Sequence, residues 1–321
     1  MDLIYTNKER EDVGVLKDYT FDLAFGTDEN DFELTLDPSN HCCEADCFVY
    51  IENTEYGGII DKLNVITKDD KLVYGGRSWH GILASKVIVP DVGKAYLTVS
   101  GEANEVIGTI IDRLGLSELF EASKEHSGLT VQNYSFNRYV DAYTGLMKML
   151  STVSAKLKFT FRDGNVILSA APIVDYSQDE QFDSDLVEMN IENTTNAVNH
   201  LICLGRGELV DREVIHLYVD ENGKISKTQT YTGLKEITSV YDNSSAESTE
   251  ELEDGGIEKL MEYSRENKVE MDFTSEEVIY DVGDIIGAKE ITTGIFAKET
   301  ITKKIVTITQ GMVNIQYKVG E

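Results

Sequence analysis

The stretch Gly57-Gly58-Ile59-Ile60-Asp61-Lys62-Leu63-Asn64-Val65-Ile66 runs to a polar break at Lys68-Asp69-Asp70 and resumes as Lys71-Leu72-Val73-Tyr74-Gly75-Gly76. Two runs of alternating residues around a polar turn read as two paired strands with one face buried. The pattern continues upstream: Phe32-Glu33-Leu34-Thr35-Leu36 stops at Asp37-Pro38, and Phe48-Val49-Tyr50-Ile51 stops at Glu52-Asn53. Turns at this spacing over residues 1–97 predict a small antiparallel barrel or sandwich of about five to seven strands.

The period changes after Ser100. Val106, Ile107, Ile110, Ile111 and Leu114 share one helical face, with Ser100 placed to cap it and Gly115 to stop it. Tyr139, Val140, Tyr143, Met147, Leu150 and Val153 predict a second helix beginning after Asn137. Leu157–Phe161 and Val166–Leu168 flank Asp163-Gly164, a hairpin signal because both centres of a type I′ turn need positive φ. Residues 98–176 therefore read as an α+β unit.

Alternation returns from Leu186 through Ile191 and in Val214–Val219, which turns at Asn222-Gly223. An acidic helix is predicted between Ser244 and Asn267, interrupted or kinked at Gly255-Gly256, with Leu252, Ile257, Leu260 and Met261 on its apolar side. From Val269 onward the chain is strand-like again. The layout of Phe48–Gly76 recurs in Asp284–Gly320, which raises the expectation of a structural duplication.

At 321 residues the chain exceeds the size of a single small core, and its 41% hydrophobic content suits a folded protein. Asp plus Glu number 58 against 29 Lys plus Arg, a formal charge of -29. Such a surface repels phosphate backbones and anionic lipid, which argues against a nucleic-acid clamp or a peripheral membrane binder. No run approaches the roughly 18–20 apolar residues of a membrane-spanning helix. Met1–Val13 is charged where a signal peptide would be apolar, so synthesis in the cytoplasm is expected. Cys42, Cys43, Cys47 and Cys203 are too few and too clustered for a disulfide framework, which favours a reducing compartment.

His41, Cys42, Cys43 and Cys47 carry the ligand types that zinc prefers, but adjacent ligands and a three-residue gap do not make a knuckle; thiols packed at the start of a strand fit better. Among so many carboxylates, proximity of two is no sign of an acid-base pair. Nucleophile-elbow, phosphate-loop, zinc-protease and dinucleotide motifs are absent from the sequence. His80 and His200 sit in apolar contexts and read as core or boundary residues. Asp220-Glu221-Asn222-Gly223 lacks the spacing of a calcium loop and reads as a turn. Trp79, the only tryptophan, precedes Ile82, Leu83 and Val87 and reads as core. No catalytic, cofactor-binding or metal residue is assigned, and the expectation is a non-enzyme without a cofactor.

Several segments together resemble the hub proteins of bacteriophage tails, the tail-associated or baseplate-hub family of siphophages and prophages. They are Asp2–Tyr5 with Gly14–Leu16, Asp31–Leu34, Gly75–Ser78 leading to Gly81–Leu83, Tyr139–Leu150, Asn199–Gly207 and Tyr280–Asp284, in an order spanning nearly the whole chain. The resemblance implies an α+β, mainly β fold with two tail-tube-type antiparallel β-barrels carrying inserted α+β and helical units. The first barrel would occupy 1–97 and the α+β insert 98–176. The second would be discontinuous, 177–212 and 268–321, around an inserted hairpin and acidic helix at 213–267. The implied assembly is a homotrimeric ring in the virion tail, prophage-encoded, joining a sixfold tube to the tip. Its partners would be the distal tail or tube protein, the tape-measure protein and a tip or receptor-binding protein, and DNA would pass through without specific binding. The end at Glu321, directly after a strand, gives the expectation of a hub-only chain, with any adhesin or lysin separate. The acidity would line the bore with carboxylates that repel phosphate. Two other readings stay open at this stage: a cell-surface or tip-associated glycan-binding or glycan-cleaving β protein, and a hub-like part of a bacterial contractile or secretion apparatus.

Overall fold

Alternation in the first 78 residues becomes seven strands: β1 (Ile4–Thr6), β2 (Asp12–Val15), β3 (Tyr19–Gly26), β4 (Asn30–Leu36), β5 (Phe48–Tyr50), β6 (Gly57–Ile66) and β7 (Lys71–Ser78). The computed structural model describes residues 1–178, 181–183, 187–193, 197–246, 248–264, 267–275 and 278–320. Leu186, at the head of the returning alternation, residues 247, 265 and 266 of the acidic stretch, and Glu321 lie outside the described residues. Phe21, Leu23, Phe32, Leu34, Leu36 and Tyr74 point to one face and are buried. At roughly 1.5–3 kcal/mol for each large apolar side chain removed from water, that face is a main source of the sheet's stability. Ser78 ends β7 and caps α1 (Trp79–Ala84), its Oγ accepting from Gly81 N at 3.2 Å. Trp79 is fully buried as read, edge-on to Phe48 and stacked on Phe161.

The α+β unit comprises β8 (Leu97–Glu102), α2 (Ala103–Arg113), β9 (Phe120–Ala122), β10 (Thr130–Phe136), α3 (Ala142–Ser151), β11 (Ala155–Arg162) and β12 (Asn165–Pro172). Val106, Ile107, Ile110 and Ile111 are buried, as their spacing predicts. The caps differ from the sequence reading. Glu102, not Ser100, accepts from the first turn of α2, because Ser100 lies within β8 and exchanges hydrogen bonds with Asn133 across to β10. The second helix begins later, capped by Asp141, and Tyr139 stands before it in a left-handed turn at φ 60°. Asp163 and Gly164 have φ 52° and 84° and close the β11–β12 hairpin as read.

After β13 (Gln181–Asp183) and β14 (Met189–Asn193), residues 190–269 with 289–297 form a compact unit of their own. It holds β15 (His200–Leu204), β16 (Val214–Val219), β17 (Ile225–Ser226), β18 (Thr238–Asp242) and α4 (Thr249–Tyr263), with strand order β17-β16-β15-β18. Leu201 and Cys203 on β15 share a core with Leu217, Leu252 and Leu260, so β15, which falls within the 177–212 range read as second barrel, pairs in this unit. α4 is not interrupted at Gly255-Gly256. A Cβ on Gly256 would stand 2.4 Å from Cys203 Sγ, so the glycine lets the helix lie close on the sheet.

The last segment supplies β19 (Asn267–Thr274), β20 (Ile285–Lys289), β21 (Phe296–Thr309) and β22 (Met312–Val319). β21 pairs with β3 from Lys303↔Gly26 to Thr309↔Thr20. The two parts read as separate barrels therefore share one curled, antiparallel half-barrel sheet, of order β14-β19-β22-β21-β3-β4-β7-β6-β5-β1-β2, with β20 beside β21. The fold is α+β, mainly β.

Candidate assembly surface

The residues singled out for chemistry do not converge. Cys42 and Cys43 lie with their Sγ atoms 3.6 Å apart, Cys42 exposed and Cys43 buried, and burial pushes both thiols up in pKa, away from the thiolate that a metal requires. Among the described residues no group of three or more His, Cys, Asp or Glu side chains is arranged to hold a metal ion. His80 is buried, stacked on Phe25 and tilted against Phe159. His200 is buried on β15, its Nδ1 2.7 Å from Glu236 and its Nε2 2.9 Å from His216. Asp220 Oδ1 accepts from the backbone of Asn222 and Lys224, which makes that segment the turn it was read to be.

Sequence reasoning missed the buried cations. Lys156 reaches Asp281 at 2.7 Å and Asp284 at 2.6 Å, and Lys304 reaches Glu55 at 2.6 Å. Lys303 pairs with Glu29 and with Asp28. The signal was available for Lys304, which stands two residues before Val306 and four before Ile308, on the face that alternation turns inward. Burial works to lower the Lys156 pKa, but the two aspartates overcome it and hold the ammonium charged.

The sheet contains the duplication. The order β3-β4-β7-β6-β5 in its first half matches β14-β19-β22-β21 with β20 in its second. The match holds at single residues. Ile60 N donates to Cys47 O while its own carbonyl accepts from Asp46 N, both at 2.9 Å; Ile301 N donates to Asp284 O and its carbonyl accepts from Gly283 N, again both at 2.9 Å. Directly afterwards each long strand is bulged against its partner, at Asp61 in β6 and at Thr302 in β21, before Lys62 and Lys303 restore the ladder. Ile60-Asp61-Lys62 and Ile301-Thr302-Lys303 are thus equivalent triplets, and Val65 corresponds to Val306.

The sheet face away from the apolar core is mixed in charge. Asp22, Asp31, Glu33 and Asp272 stand on it among Lys62, Arg77, Lys303 and Lys318, with Thr20, Thr35, Thr307 and Thr309 between. Thr307 Oγ1 donates to Asp22 Oδ1 at 2.6 Å, and Arg77 pairs with Asp61 at 2.8 Å.

No protein-family model matches the sequence, and no curated protein sequence matches it. Solved structures do match the fold. A prophage MuSo2 43 kDa tail protein from Shewanella oneidensis aligns with TM-score 0.57 at 10% identity, covering 99% of this chain and 98% of that one. Prophage tail protein gp18 from Listeria monocytogenes aligns with TM-score 0.57 at 12% identity, covering 99% and 94%. A tail protein from Neisseria meningitidis aligns with TM-score 0.54 at 13% identity, covering 100% and 96%. The chain has the phage tail-protein fold. Within that tail-protein fold the resembling segments take up structural places: Gly75–Ser78 is the end of β7 that launches α1, Asn199–Gly207 is β15 with the residues on either side of it, and Tyr280–Asp284 holds Lys156.

Proposed function

We propose that this chain is a non-enzymatic structural component of a phage or prophage tail, the hub, and that three copies form a ring joining a sixfold tube to the tip. The observation that carries the reading is the duplicated sheet: one chain holds two equivalent half-sheets, so three chains offer six. Residues 1–97 supply one half and 268–321 most of the other. The full-length likeness to three tail proteins supports the setting. The neighbours on this reading are a distal tail or tube protein, a tape-measure protein and a tip or receptor-binding protein.

On this reading the wall that passing DNA meets would be the sheet face away from the apolar core. That face is mixed in charge and rich in hydroxyls, while Glu250, Glu251, Glu253, Asp254 and Glu258 concentrate acidity on α4. A wall of interspersed acids and bases offers no continuous basic track for a phosphate backbone, which supports passage without specific binding. Electron microscopy of assembled tails, with native mass measurement of the purified chain, tests the assignment. A threefold ring containing this chain supports it; a chain that is monomeric in solution and absent from every tail particle refutes it.

A further inference from the structure

The two halves of the sheet differ at one edge. Along β21 the segment Lys303–Thr309 is paired with β3 on its outer side, and Val306 and Ile308 are fully buried. Along β6 the equivalent segment begins at Lys62. β5 covers only Gly57–Ile59, and among the described residues no strand pairs with the outer side of β6 beyond Ile60. Leu63 and Val65 point to the core face, opposite Tyr74 and Leu72, yet are 44% and 56% exposed. Val65 and Val306 hold the same place in the repeat; what differs is the missing strand. Open strand edges bearing apolar side chains are templates for pairing, and proteins ordinarily blunt them.

We infer that the outer edge of β6 from Lys62 to Ile66 takes β14 of a second copy of this chain, as β21 takes β3 within the chain. The repeat names the donor. β3 opens the first half-sheet, beside β4; β14 opens the second, beside β19, at the far end of the strand order. The contact is head-to-tail, using one surface as donor and a different one as acceptor, so every β6 edge and every β14 is paired only when the copies close into a ring. The inference rests on the ring assignment above and specifies which surfaces make it.

Two variants test it in the full-length chain. Leu63→Asp with Val65→Asp places carboxylates on the open edge at two side chains that are about half exposed; its melting temperature is expected to stay close to the parent's, while the ring fraction by native mass measurement and in tail particles falls at least tenfold. In a Cys42→Ser background, Val65→Cys combined with Met189→Cys or Ile191→Cys is expected to give covalent multimers on non-reducing gels. If rings persist at parental yield in the aspartate variant and neither cysteine pair cross-links, the β6 edge is not the joint, although the ring stands. If the parent chain forms no ring in solution or in particles, the hub assignment falls and this joint with it.

Discussion

Lys304 on β21 and Glu55 in the loop before β6 form an ion pair at 2.6 Å beneath the sheet, with Lys304 1% exposed. Burial acts to depress the ammonium's pKa, but Glu55 and the Tyr56 phenol hold it above the usual lysine value. The pair ties the first segment of the chain to the last. Glu55→Gln leaves that charge buried and unmatched and is expected to destabilise by about 3–5 kcal/mol. Adding Lys304→Met should recover most of the loss, since a well-packed apolar pair is often no worse than a buried ion pair. Urea unfolding of the two variants checks both; equal losses in the single and double variants would contradict the account.

His80 lies against Phe25, Phe159 and Tyr143, and its Nδ1 has no hydrogen-bond partner among the described residues. Burial, with the nearby Lys304 charge, holds its pKa down to about 3 from an ordinary value near 6.5. The unfolded chain therefore binds a proton below pH 6.5 that the folded chain refuses until about pH 3. Stability falls as pH drops through that window, by at most about 1.4 kcal/mol per pH unit from this residue. Thermal melts of His80→Phe at pH 7 and pH 5 should show a smaller acid loss than the parent; an identical loss would remove His80 as its source.

Asp284 accepts from Lys156 Nζ and from the backbone of Val174 and Asp281. It fastens the hairpin strand β11 to the loop that leads into β20. Asp284→Ala takes one of two carboxylates from a buried ammonium and leaves two amides unmatched, and a loss of about 3–5 kcal/mol is expected in denaturant unfolding. Lys158→Ala serves as the comparison: it meets Asp281 at 3.2 Å but is 45% exposed, and a change of under about 1 kcal/mol is expected.

Gly256→Ala would ordinarily strengthen a helix. Here the added carbon meets Cys203 Sγ at 2.4 Å and Leu217 at 2.9 Å, so a net destabilisation of about 1–3 kcal/mol is expected. A rise in melting temperature would show that α4 can move off the sheet freely.

Local patterns were legible wherever a side chain's role follows from its near neighbours. The β6–β7 alternation, the Asp163-Gly164 turn, the apolar face of α2 and the burial of Trp79 all have that character. Ser100 misled because a capping residue type was weighed without its cross-strand partner Asn133, and Gly255-Gly256 misled because close packing on Cys203 and Tyr241 is a tertiary demand. Lys304 could have been suspected from its place in an alternating run, but its partner is 249 positions away. The open edge of β6 was beyond sequence reasoning, because Leu63 and Val65 look like any inward-facing pair until the absence of a neighbouring strand is seen.

The β3–β21 ladder also sets a timetable. Asp22 and Thr307, joined across it, are 285 positions apart, so at about 5–20 residues per second a ribosome finishes the second strand roughly a quarter-minute to a minute after the first. During that interval Phe21, Leu23 and Phe25 have no lasting neighbour on that side. The sheet matures last at its middle, and a nascent chain halted before β21 carries two raw edges where the complete one carries a sealed seam, a reason for such fragments to aggregate or to seek a chaperone.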